Sequence, residues 1–137
     1  MKKIITLLLI VFSTTIINSQ TPNKFSYQAV VRNANNELIS NKSVSVKISI
    51  LSDSVTGEVI YSEISYPKTN DNGLISLQIG AATFPEGDIE SIDWSKGEYF
   101  IKTEIDPNGK SDYTIVSTTQ LISVPYALHA STADRIA

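Results

Sequence analysis

Residues 44–50 read Val44-Ser45-Val46-Lys47-Ile48-Ser49-Ile50. Every even position carries a β-branched apolar side chain and every odd one a polar side chain. A strand sends successive side chains to opposite faces. This period of two therefore sets Val44, Val46, Ile48 and Ile50 against a core and turns Ser45, Lys47 and Ser49 toward solvent. β-Branched residues also fit a pleated surface better than a helix. The stretch predicts a half-buried strand.

The same reading extends in both directions. Phe25, Tyr27, Ala29 and Val31 alternate with Ser26, Gln28 and Arg32. Residues 59–66 and 74–79, rich in β-branched and aromatic side chains, read as two more strands. Tyr99, Ile101, Thr103 and Ile105 form another inward row opposite Glu98, Lys102 and Glu104. Residues 113–124 read as a long last strand of mixed phase, which suggests a bulge or two covered faces. Turn chemistry separates these runs. Asn33-Ala34-Asn35-Asn36 exploits the tolerance of Asn for positive φ. Asp71-Asn72-Gly73 contains a hairpin Asn-Gly pair. Asp106-Pro107-Asn108-Gly109 combines a Pro that presets φ with an Asn-Gly reversal. About seven short strands with almost no helical periodicity predict an all-β, two-sheet antiparallel β-sandwich of the immunoglobulin or prealbumin kind.

Two stretches depart from the pattern. In residues 80–97, Asp88 is placed to cap one helical turn, with Ile89 and Ile92 on its inner face and Trp94 plugging one end of the sandwich. A packed lid is the expectation there. At the C-terminus, Ala127, Ala130, Ala133 and Ala137 recur at steps of three, three and four. They predict a short helix with a narrow small-residue stripe, docked on the sandwich or serving as a connector.

The first residues carry an export signal. Met1-Lys2-Lys3 is cationic, Ile4–Phe12 is apolar apart from Thr6, and polar residues lead to Ser19. That order is a cleaved secretory signal peptide. Its apolar centre is well short of the ~20 residues that a membrane span requires. The expected organisation is a signal peptide over 1–19, a β-sandwich domain over 20–124 and a helical connector over 125–137, the product being secreted or held at the outer cell surface. The mature chain would carry nine basic against fourteen acidic side chains, a balance of −5 in place of −3. Nucleic-acid binders cluster Lys and Arg, so that class is excluded. No cysteine is present, so no disulfide, lipid attachment at a cleavage-site cysteine or thiol nucleophile is available.

Four strings identify a resemblance: FSYQAVVRNANNELISNKSVSVKISIL, TNDNGLISLQIG, IDWSKGEYFIKTEIDPNG and QLISVPYALHASTAD. Together they cover nearly all of residues 25–134. They resemble the N-terminal domain of large secreted and surface proteins of the Bacteroidetes type, which precedes coiled-coil, collagen-like or tail-collar regions. The resemblance implies a β-sandwich on an exported protein, at the base of a fibre-like or adhesive assembly. It implies no catalytic residue.

Candidate chemistry is sparse. His129 is the only histidine and lies in the predicted terminal helix. A Ser-His-Asp mechanism needs it oriented by a buried carboxylate, and no G-x-S-x-G elbow is present. Glu104 and Asp106 are two apart on one strand, so they share a face with carboxylates about 7 Å apart, a glycosidase-like separation. Alternation assigns both to a solvated polar row. Asp106, Asn108 and Asp112 crowd one turn and Asn70, Asp71 and Asn72 another. Calcium favours such oxygen clusters, but turn formation already explains them. Gly73, Gly80, Gly87, Gly97 and Gly109 sit singly at turns and make no phosphate cradle.

The expectation is a non-catalytic structural or interaction module, monomeric as an isolated domain, with no cofactor, no metal site, no nucleic-acid partner and no membrane span in the mature chain. One alternative is a carbohydrate-binding module with solvent-facing Phe100, Tyr61 or Tyr66 as its platform. The other is a small glycoside hydrolase that uses Glu104 and Asp106.

Overall fold

The computed structural model describes residues 24–122. The predicted signal peptide (1–19) and the C-terminal helix (125–137, with His129) lie outside the described residues. Among the described residues six strands run in chain order: β1 (Phe25–Val30), β2 (Ser45–Ser52), β3 (Val59–Ser65), β4 (Leu74–Ile79), β5 (Tyr99–Asp106) and β6 (Ile115–Gln120). They form two antiparallel sheets, one ordered β1-β4 and the other β3-β2-β5-β6. A single 3-10 turn, Ile89–Ser91, interrupts the connection from β4 to β5. The all-β sandwich predicted from alternation is what forms.

β2 has a neighbour on each edge, and its even row is the centre of the core. Val46, Ile48 and Ile50 are fully buried, with Val44 just before the strand. Ile75 and Ile79 of β4 and Ile101 and Ile105 of β5 pack with them. Each such side chain contributes about 1.5–3 kcal/mol by leaving water. The odd row of β2 corrects an expectation: Ser45 and Ser49 are 0% and 2% exposed rather than solvent-facing. Ser49 is flanked by Ser62 of β3 and Lys102 of β5, and Ser45 lies 3.3 Å from the Tyr113 hydroxyl. A short side chain on a central strand is shielded by longer ones beside it, here Lys102 and Tyr113. The last strand is also shorter than predicted. It spans Ile115–Gln120 because pairing with β5 begins at Ile105↔Ile115 and ends at Phe100↔Gln120.

One turn design is used three times. Asn33, Asn70 and Asp106 each place a side-chain oxygen on the N–H groups two and four residues ahead. Each carbonyl accepts the N–H three ahead, from Asn36, Gly73 and Gly109, and these three residues have φ of 65°, 70° and 70°. The short Asx side chain replaces a backbone partner while Asn or Gly absorbs the left-handed conformation.

Candidate functional site

The two seams where the sheets meet differ. At one, β3 and β4 are sealed by residues 80–92. Ser62 and Glu86 exchange both backbone hydrogen bonds at 2.8 Å, and the Ser62 hydroxyl donates to Glu86 Oε2 at 2.9 Å. Gly87, at φ +83°, lets this segment press on β3: a Cβ there would lie 2.5 Å from the Ile60 carbonyl oxygen. Asp88 caps the 3-10 turn by accepting the Glu90 N–H at 2.9 Å, as predicted. Ile89 is buried and Ile92 packs on the core. Trp94 fills its predicted place only partly. It meets Phe25 and Tyr99 edge-on, with ring centroids 6.5 and 5.1 Å away, yet remains 44% exposed.

Under this lid lies a carboxylate to which the sequence reading assigned no role. Glu63 is 2% exposed. Its Oε2 accepts the Tyr61 hydroxyl at 2.6 Å and the Gly80 N–H at 2.9 Å, while Oε1 has no partner among the described residues. Burial, and then the Glu63 carboxylate that accepts its hydrogen, hold the Tyr61 phenol well above its ordinary value of 10.0. It stays protonated and donating. Tyr61 is therefore not the solvent-facing platform residue expected; it shares the inward face of β3 with Glu63. Being two apart on one strand puts Tyr61 and Glu63 on the same face, whichever face that is.

At the other seam, β1 and β6 are both edge strands among the described residues. The Thr103 hydroxyl donates to the Tyr27 hydroxyl at 2.9 Å and ties the sheets together. Beyond it a groove of about 390 Å³ opens, with Phe25, Tyr27, Ile101, Ser117, Thr119 and Leu121 among its walls. No charged side chain of the described residues lines it. Ser117 and Thr119 are exposed on the face of β6 that turns inward.

The carboxylate pair considered for hydrolysis has other duties. Glu104 is half-buried and bound to Lys102, with Nζ 2.8 Å from Oε1. Asp106 is 1% exposed rather than part of a solvated row. Its Oδ1 accepts the Asn108 N–H at 2.8 Å, and Oδ2 accepts those of Lys110 and Asp112 at 2.9 and 3.0 Å. These bonds, that from Asn108 first, hold its carboxyl below the ordinary 3.8. Such a carboxylate carries no proton to donate near neutrality. The second oxygen cluster is likewise built into its turn, with Asp71 Oδ1 accepting from the Asn41 amide at 2.7 Å. Among the described residues no three His, Cys, Asp or Glu side chains are placed to hold a metal, and no helix is long and apolar enough to cross a membrane. Of the expected aromatic platform, Phe100 is half-buried and Tyr66 exposed. Phe84, 91% exposed, went unnoticed in the sequence. With Ile64, Lys47 and Glu86 it borders a cleft of about 130 Å³.

Residues 26–119 match the model of a family described as a domain of unknown function (DUF8740). No curated protein and no solved structure matches the chain.

Proposed function

The chain belongs to the DUF8740 family, and from its fold and surface we propose that it is a non-catalytic structural or interaction module of an exported protein, secreted or held at the outer cell surface. The observation that carries this reading is the use made of Asp106. A carboxylate that accepts three backbone N–H groups builds a turn, and its partner in any two-carboxylate mechanism, Glu104, is tied to Lys102. Export is supported by the cationic, apolar and polar order of residues 1–19. Placement at the base of a fibre-like or adhesive assembly is supported by the four strings that resemble the N-terminal domains of such proteins.

A carbohydrate-binding role is the second reading, favoured by Phe84. An exposed aromatic ring beside Lys47 and Glu86 supplies a stacking face with a charged donor and acceptor at its rim. The mature chain, secreted with its own leader, is tested on a panel of glycosides and polysaccharides. The module reading expects an N-terminus at Gln20 and no turnover. Turnover abolished by Glu104→Gln overturns it in favour of the hydrolase. Saturable glycan binding lost in Phe84→Ala narrows the module to the carbohydrate-binding reading.

A further inference from the structure

Among the described residues the smaller sheet is two strands wide and the larger four. β1 lies over β5, tied through Tyr27 and Thr103, and β4 reaches β3 through the Gly80–Glu63 bond. Nothing described then covers the inward face of β6. The strip that the described residues leave uncovered is one strand wide, and the β1 edge beside it carries donors and acceptors. Val31 N–H bonds to the Gly73 carbonyl in the same register as β1 and β4. By antiparallel alternation, the N–H and C=O groups of Ser26, Gln28 and Val30 point away from β4. Among the described residues no backbone group bonds to them. An uncovered edge of this kind is a template for strand addition.

The groove also states what would fit. Its walls are uncharged, and their half-buried members Phe25, Tyr27 and Leu121 are apolar. The chain leaves β6 at the groove itself, because Leu121 and Ile122 are part of the wall. Residues 121–123 span about 10 Å when extended, the separation of packed sheets. The next residues are Val124-Pro125-Tyr126-Ala127-Leu128, uncharged and with large apolar side chains at every second position. Pro125 suits this place as well. With Val124, Tyr126 and Leu128 facing inward, the N–H position that Pro lacks falls on the far side from β1, where an edge strand tolerates proline.

We propose that the groove between β1 and β6 seats one further strand, and that residues 124–128 of the same chain supply it, running parallel to β1. Tethering through Ile122 gives this segment an effective concentration on the order of millimolar, so it outcompetes the same segment of a second copy in dilute solution. The added strand hides Ser117 and Thr119 and completes the smaller sheet.

Amide hydrogen exchange on the full mature chain tests this at Ser26, Gln28 and Val30. In the intact protein these three amides exchange at least about tenfold more slowly than in a Tyr126→Asp variant, while the Ile48 and Ile101 amides keep their protection in both. If Tyr126→Asp also loosens Ile48, Tyr126→Ser replaces it and is judged by the same three amides. Equal exchange in the intact and substituted proteins overturns the proposal. So does protection that appears only as protein concentration rises, together with a dimer in light scattering, because the occupant is then the strand of a second copy.

Discussion

Where β3 meets β4, residues 80–92 are given over to a seal; where β1 meets β6, the described chain leaves a groove. The sealed seam combines a reciprocal backbone bridge, a glycine at φ +83° that allows close approach, and a buried isoleucine. It also encloses a carboxylate, which is tolerated because Tyr61 and Gly80 donate to it. The open seam has one hydroxyl–hydroxyl tie and walls that set Phe25, Tyr27 and Leu121 against Ser117 and Thr119. The contrast teaches that, among the described residues, one side of the small core is closed by its own connection and the other is left open. A side chain removed from the seal leaves a void or an orphaned donor, whereas one exchanged in the groove stays in contact with solvent or with whatever enters.

The largest effect is expected at the lid. Ile89→Ala removes a buried side chain from a site that Gly87 and Asp88 hold in place, so the cavity cannot collapse freely. A loss of about 2–4 kcal/mol is expected in urea denaturation. A loss under about 1 kcal/mol would mean that the lid is loosely packed and the two seams are alike.

Glu63 comes next. Glu63→Ala leaves the Tyr61 hydroxyl and the Gly80 N–H without their acceptor, a loss of about 2–3 kcal/mol. Glu63→Gln keeps an acceptor oxygen and should lose less than half of that. Equal losses in the two variants would show that the charge, rather than the acceptor geometry, holds the loop after β4.

A smaller, pH-dependent effect belongs to the turn that joins β5 to the open seam. The Asp106 carboxyl is held below its ordinary 3.8 in the folded chain. The unfolded chain therefore binds this proton more readily, and the stabilisation is complete above the ordinary value and lost as pH falls through the folded one. The stability difference between wild type and Asp106→Asn should accordingly shrink as the pH falls below about 4. Denaturation curves in which that difference stays constant over the range would remove the carboxylate from the account.

Much of this architecture was readable in advance, for reasons visible in particular residues. The even row of β2 names the core because β-branched residues at period two admit few other arrangements. Asn33, Asn70 and Asp106 announce their turns because each is followed three places on by an Asn or Gly that accepts positive φ. Asp88 is recognisable as a cap. What escaped the sequence is what depends on neighbours. Ser45 and Ser49 are buried because β2 has strands on both edges, a property of pairing rather than of composition. Along β3 both parities mix apolar and polar side chains, Val59, Tyr61 and Glu63 against Ile60, Ser62 and Ile64. The pattern alone could not say that Tyr61 and Glu63 face the core. Asp106 follows the polar parity of β5 with Glu104, but its carboxylate belongs to the turn beyond the strand. Separation along a strand thus gave a distance and missed the duty.

The smallest effect should be at the groove. Thr119→Val replaces a hydroxyl by a methyl group of similar size on an exposed part of its wall, where the described structure gives that hydroxyl no partner. Stability should change by no more than about 0.5 kcal/mol in either direction. A gain within that range is in keeping with an apolar strand seated against the new methyl group. A loss above about 1.5 kcal/mol would mean that the hydroxyl is buried and hydrogen-bonded in solution. That side of the core would then be held by polar contacts, against the apolar seating expected for the added strand.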